Sequence, residues 1–177
     1  MSGSAFPSKV TQVDLGTTAS PARFPLGYEV TLPATKSGAG GVENDTGPQT
    51  WVYVLADEIL LAGDIVQVNP DWASPFHGHK SDGANTKSTL IGVAQHTIAS
   101  GSYGFIQSKG YATYVQGDGG VAAGHSIMCH ATTDGMADTW AAGAGAEQKI
   151  FGIAFAADAA DTAVDSRVVF AALINCS

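Results

Sequence analysis

Two segments of this chain repeat one pattern: AGDIVQV at residues 62–68 and AGHSIMC at 123–129. Each is a small-Gly-polar turn opening into a short, mostly apolar run. The likeness continues further along. LIGVAQHTIASGSYGFIQ, from residue 90, is echoed by IFGIAFAADAADTAVDSRVVF, from residue 150. Gly92 aligns with Gly152, Ala94 with Ala154, Ala99 with Ala159, and Phe105-Ile106 with Val168-Val169 after a small insertion. The repeated unit is a turn, a strand, a variable loop, a Gly-Val/Ile-Ala strand, a polar turn and a final strand. Two copies are too few for a solenoid, which needs about three stacked repeats. Two similar half-sheets folded on one another can share a core and close a barrel, which removes the open edges of a flat sheet.

The rest of the chain agrees with a mainly β domain. TWVYVLA at 50–56 is rich in aromatic and β-branched residues, and FPLGYEVTL from residue 24 alternates Tyr28, Val30 and Leu32 with Glu29 and Thr31. Strands are expected also at 65–68, 89–95, 103–107, 111–116 and 150–155, with Gly101, Gly104, Gly110 and Gly117 as punctuation. Only 14% of residues are charged and 22 are glycine, which suits short strands and tight turns better than long helices. The fold expected is a compact β barrel over residues 25–177, with a weak internal duplication. Residues 69–88 and the stretch after Cys129 read as polar loops.

Residues 1–24 have no strand or helix period, yet Phe6, Val10, Val13, Leu15 and Phe24 punctuate them. A solvated tail is usually poorer in such anchors. An extended N-terminal arm lying on another surface has this composition; an untidy terminus is the plainer alternative.

The chain has a formal net charge of −8, with its eight Lys and Arg scattered rather than clustered. Nucleic acid as a partner needs a positive surface and is not expected. No apolar run is long enough for a membrane span, and the N-terminus lacks the apolar core of a secretory signal, so cytoplasmic synthesis is expected. Cys129 and Cys176 sit in apolar runs and read as buried thiols, with a single bridge between them as the other possibility.

No catalytic constellation is legible. There is no GxSxG elbow, no GxxxxGK[ST] loop, and no Cys flanked by a nucleophile signature. His77-Gly78-His79 would place two imidazoles on one face of a strand, and Asp71, Asp82, His96, His125 and His130 are candidate supplements. Without a second ligand cluster this reads as a solvated loop, and neither a metal nor another cofactor is expected. Trp51, Tyr53, Tyr103 and Phe105 fall on strand faces and read as core. Trp72 and Phe76 lie in the 69–88 loop, where aromatic side chains act as interface anchors.

The order FPLGYEVTLP, PQTWVYVLADEILLAGDIVQV, IGVAQHTIASGSYGFIQSKGYATYV, AAGHSIM and FGIAFAADAADTAVDSRVVF resembles the capsid decoration (cement) proteins of tailed bacteriophages, over about residues 24–173. The resemblance implies a β-tulip or β-clip-like domain without catalytic residues. It implies a virion protein, assembled in the host cytoplasm, that binds the outer face of the major capsid protein, commonly as a homo-trimer. The arm would then contact capsid or a neighbouring subunit through Phe6, Val10, Val13, Leu15, Arg23 and Phe24, with Trp72 and Phe76 as further contacts. Strands 51–56, 65–68, 90–95 and 150–155 would form the core. A tail or fibre attachment module that binds glycans is the alternative of a different class.

Overall fold

The computed structural model describes residues 12–33, 47–68, 74–82, 89–140, 150–158 and 168–176. Their elements are a single helical turn, α1 (Gln12–Leu15), and ten strands. The strands are β1 (Glu29–Leu32), β2 (Gln49–Ala56), β3 (Ile65–Val68), β4 (His77–Lys80), β5 (Leu90–Val93), β6 (Tyr103–Gly117), β7 (Ser126–Cys129), β8 (Ala137–Thr139), β9 (Ile150–Ala154) and β10 (Val168–Asn175).

The strands close into two rings that share β6. In the first ring β6 pairs antiparallel with β2, placing Tyr53 beside Phe105 and Val52 beside Ile106. β2 continues to β4 in parallel, β4 to β3, and β3 to β5. β5 returns to β6 through Val93 and Gln107. In the second ring the far half of β6 pairs with β10, β10 with β9, β9 with β7, and β7 with β8. β8 returns to β6 in parallel through Gly117 and Ala137. Each ring therefore has five strands, and the 15-residue β6 belongs to both.

The rings match one another in detail. Gly63 and Gly124 both turn at positive φ, 92° and 85°, and they open the matching strands β3 and β7. Gly63 donates its N–H to Ala94 O at 2.7 Å, and Gly124 donates to Ala154 O at 2.8 Å. Ile65 O accepts from Ser81 N, and Ser126 O accepts from Trp140 N. A β-bulge follows Val66 in one ring and Ile127 in the other. The duplication read from the sequence is thus a duplication of a five-strand barrel.

Strand period 2 assigns the core. Along β2, Val52, Val54 and Ala56 face the first barrel with Leu60, Val66, Ala94, Ile98 and Ile106. Trp51 and Tyr53 face the other way, with Phe105, Leu15 and Phe24. The second barrel is filled by Ala112, Val115, Ile127, Phe151, Ala154, Ala172 and Ile174, and the first ring contributes Ile65 and Val93 to that cluster. One ring's outer surface thus helps to fill the other's interior.

Four expectations change. The stretches 103–107 and 111–116 are one strand: its ladder to β2 shifts register past Ser108, and Gly110, at φ 99°, passes close against the Pro48 carbonyl where a side chain would not fit. Part of the 69–88 loop is β4, whose Gly78 is buried where a Cβ would lie 2.8 Å from Val66. Part of the loop after Cys129 is β8. The final alignment also moves. Val93–Gln107 and Ile153–Leu173 are the matched pairs, so Phe105-Ile106 correspond to Ala171-Ala172 rather than to Val168-Val169.

Candidate functional site

The N-terminal segment was the leading candidate for partner contact, and its described part is docked on its own domain. Leu15, at the end of α1, is buried with Trp51, Tyr53 and Phe105. Ala19 and Tyr103 exchange backbone hydrogen bonds of 2.8 and 2.9 Å, adding a one-residue bridge beside β6. Phe24 is 3% exposed. Its ring meets Tyr53 and Phe105 edge-on, both at 5.3 Å between centroids, and stacks on Tyr28 at 5.5 Å. Such aromatic contacts add to the apolar area removed from water. Arg23 N donates to Tyr53 Oη at 3.1 Å, and burial raises the Tyr53 pKa despite that bond. The Arg23 side chain remains exposed, reaching Asp14 at 3.3 Å.

Leu15 and Phe24 are therefore core residues of this domain, and their apolar surface is not offered to a capsid. The boundary drawn at residue 24 passes through a packed cluster. Val13 lies in α1. Phe6 and Val10 lie outside the described residues, as does Trp72. Phe76 is half-buried, with its ring over Gly27, where any Cβ would overlap it. It joins the turn before β1 to the start of β4 instead of standing free as an anchor.

The His77–His79 pair lies in β4, not in an irregular loop, and both imidazoles meet carboxylates. His77 Nδ1 lies 3.1 Å from Asp57 Oδ1. Gln67 Nε2 donates to His79 Nε2 at 3.0 Å, which leaves the Nδ1 proton for Glu58, 3.4 Å away. Glu58 also accepts the Lys80 N–H at 2.9 Å. Consecutive acids after β2 thus bind alternate histidines on β4, where the parallel pairing of the two strands is short. The pairs help to hold the first ring closed.

The second ring has a related cluster at the matching place. Asp57 N donates to Gly78 O and Asp118 N to Ala137 O, so the two aspartates correspond. Asp118, His130 and Asp138 each place a ligand atom within 4.8 Å of the others. The ring of His130 is oriented by the turn after β7: Nδ1 accepts the N–H groups of Thr132 at 3.2 Å and Thr133 at 2.8 Å. An imidazole that accepts at Nδ1 keeps its proton on Nε2. That Nε2 lies 3.2 Å from Asp118 Oδ2. The geometry is that of a hydrogen-bonded lock on a turn; a cation there would require the nitrogen that carries the proton. His125 is exposed beside Thr139, and His96 stands apart with both ring nitrogens buried and unpaired.

Cys129 and Cys176 are buried thiols. Burial, with a contribution from the Cys129 thiol, pushes the Cys176 pKa up to about 12, so it is no nucleophile near neutrality.

Two features escaped the sequence reading. Asp158, 8% exposed, accepts the N–H of Gly119 at 2.8 Å and of Val121 at 2.7 Å. It stands where Ile98 O receives the Leu60 N–H in the first ring. The other is an apolar row on the outer face of the second ring. Tyr111 on β6, Leu173 on β10 and Ile153 on β9 are direct cross-strand neighbours, and the Phe155 ring meets Tyr111 edge-on at 5.7 Å. Ile153, Phe155 and Leu173 are 47%, 58% and 42% exposed. Alternation marked each residue as part of a strand, but not which face would be covered.

No family of known proteins, no curated protein and no solved structure matches this chain.

Proposed function

We propose that this chain is a non-enzymatic structural protein of a tailed-phage virion, which binds the outer face of the major capsid protein as a homo-oligomer and stabilises the shell. The partner and the location rest on the short sequence motifs that resemble those of decoration proteins. The observation that carries the reading physically is the fused double barrel. Among the described residues, two closed rings on one continuous strand make a rigid body without long open edges, suited to bracing a shell through many identical contacts.

The ionisable side chains support the same reading. Asp57, Glu58, His77, His79, Asp118 and His130 meet one another where the rings close. Each pair crosses between neighbouring strands or turns of its ring and so braces it. With Leu15 and Phe24 in the core, the capsid contact falls to the part of the arm before α1, where Phe6 and Val10 are the apolar anchors.

Co-sedimentation with expanded empty phage capsids tests the proposal. Saturable binding at many copies per shell is the expected result, weakened by Phe6→Ala with no change in melting temperature. Failure of the intact, folded protein to bind such shells would overturn it.

A further inference from the structure

The matching of the two rings marks the Tyr111–Leu173–Ile153 row as an uncovered interface. Its counterpart in the first ring is Trp51–Gln107–Val93, also a direct cross-strand row. There the row is covered. Val93 is fully buried within the second barrel's core cluster, and Trp51, 8% exposed, lies with Leu15 and Phe24. The second ring fills the same three places with Tyr, Leu and Ile, of which Leu173 and Ile153 are exposed and Tyr111 is half-buried. Phe155 extends the row. Contiguous apolar surface of this kind on a folded chain marks an interaction site.

Charge selects the occupant. The chain carries a net −8, so two copies repel unless they meet through a neutral face. Residues 111–115, 150–155 and 172–176 contain no Asp, Glu, Lys or Arg. Exposed Thr113, Asn175 and, paired with Asn175, Lys109 border the row, giving the apolar centre and polar rim of a protein interface. Within the chain, the surface already laid over the counterpart row is this chain's own apolar surface. We infer that the outer face of β9, β10 and the far half of β6, centred on Ile153, Leu173, Tyr111 and Phe155, is where a second copy of this chain docks. The inference deepens the oligomeric part of the functional reading and rests on that part alone.

Light scattering on the purified protein, without capsids, tests it. The wild-type mass should exceed the monomer's 18.0 kDa and rise with concentration. The double variant Ile153→Asp/Leu173→Asp should remain at the monomer mass with an unchanged far-UV circular dichroism spectrum. Both substitutions fall on exposed side chains, but a variant that misfolds would leave the wild type to decide. Amide hydrogen exchange in β9 and β10 of the wild type should then slow as concentration rises. A wild-type monomer at every concentration, a folded double variant that associates like the wild type, or concentration-independent exchange would each overturn the inference. Because no capsid enters the assay, its failure leaves capsid binding standing. Failure to sediment with capsids likewise leaves the docking face standing.

Discussion

Gly92 faces the carbonyl oxygen of Gln107 across the β5–β6 contact as closely as Gly152 faces that of Leu173 across β9–β10. A Cβ at Gly92 would lie 2.6 Å from Gln107 O, and one at Gly152 would overlap Leu173 O. The obstacle in both places is backbone, which cannot swing aside as a side chain can. Each glycine therefore lets its ring draw closed. Gly92→Ala and Gly152→Ala should each destabilise the protein by about 1–3 kcal/mol, the usual cost of overpacking, read as a lower urea midpoint. Ala at exposed Gly16, where a Cβ meets nothing within 4 Å, should leave the midpoint nearly unchanged.

Phe24 is the centre of an aromatic cluster with Tyr28, Tyr53 and Phe105. Truncation would open a cavity and release the N-terminal segment from the barrel. Phe24→Ala should cost about 3–5 kcal/mol, lowering the melting temperature by on the order of 10 °C in a chain of this size. A melting temperature equal to that of the wild type would show that the segment does not brace the domain.

Asp158 ties down the turn between β6 and β7 by accepting two backbone N–H groups. Asp158→Ala leaves both donors without that partner, at about 1–3 kcal/mol for each one that stays buried. Asp158→Asn keeps an acceptor oxygen and should cost less. Hydrogen exchange at Gly119 and Val121 should accelerate in the Ala variant before exchange elsewhere responds.

Acid should weaken the fold through His96. Burial lowers its pKa below the ordinary 6.5, and its ring nitrogens find no hydrogen-bond partner. On acidification the unfolded chain takes up this proton first. The stability present above pH 6.5 is then lost as pH falls through the folded-state value. Unfolding free energies measured from pH 7.5 down to pH 5 should decline, and His96→Gln should flatten that part of the slope.

Alkali should act through Cys176, with the opposite direction in pH. Its thiol is held protonated to about pH 12 in the fold, against an ordinary 9.0, so the unfolded chain loses this proton first. The contribution is intact below pH 9.0 and drains away as pH rises toward 12. Between pH 7 and pH 10 the wild type should lose about 1.4 kcal/mol more stability than Cys176→Ala, the equivalent of one pH unit of linkage. At pH 8 the folded protein should react slowly with a thiol reagent at this position.

Local chemistry made much of the architecture legible. The Ala-Gly-polar turns at Gly63 and Gly124, the alternation along β2, and the Gly-x-Ala strands at Gly92 and Gly152 each record a backbone or burial demand within a few residues. Their recurrence gave the duplication directly. HGHK offered no such record. Its period resembles a solvated loop, and it becomes β4 because β2 and β3 supply partners for its backbone and Asp57 and Glu58 supply partners for its imidazoles.

What the sequence by itself determined was a mainly β chain containing one unit written twice. The tertiary structure alone decided that the copies are rings sharing β6, that Leu15 and Phe24 are core, and that Ile153 and Leu173 are left outside. Period 2 tells which side chains share a face, but not what lies over that face. Covering is a long-range event: Trp51 is buried by residues about thirty positions earlier and Val93 by the second barrel, whereas half-buried Tyr111 and exposed Ile153, at the matching places, have no further ring among the described residues to cover them.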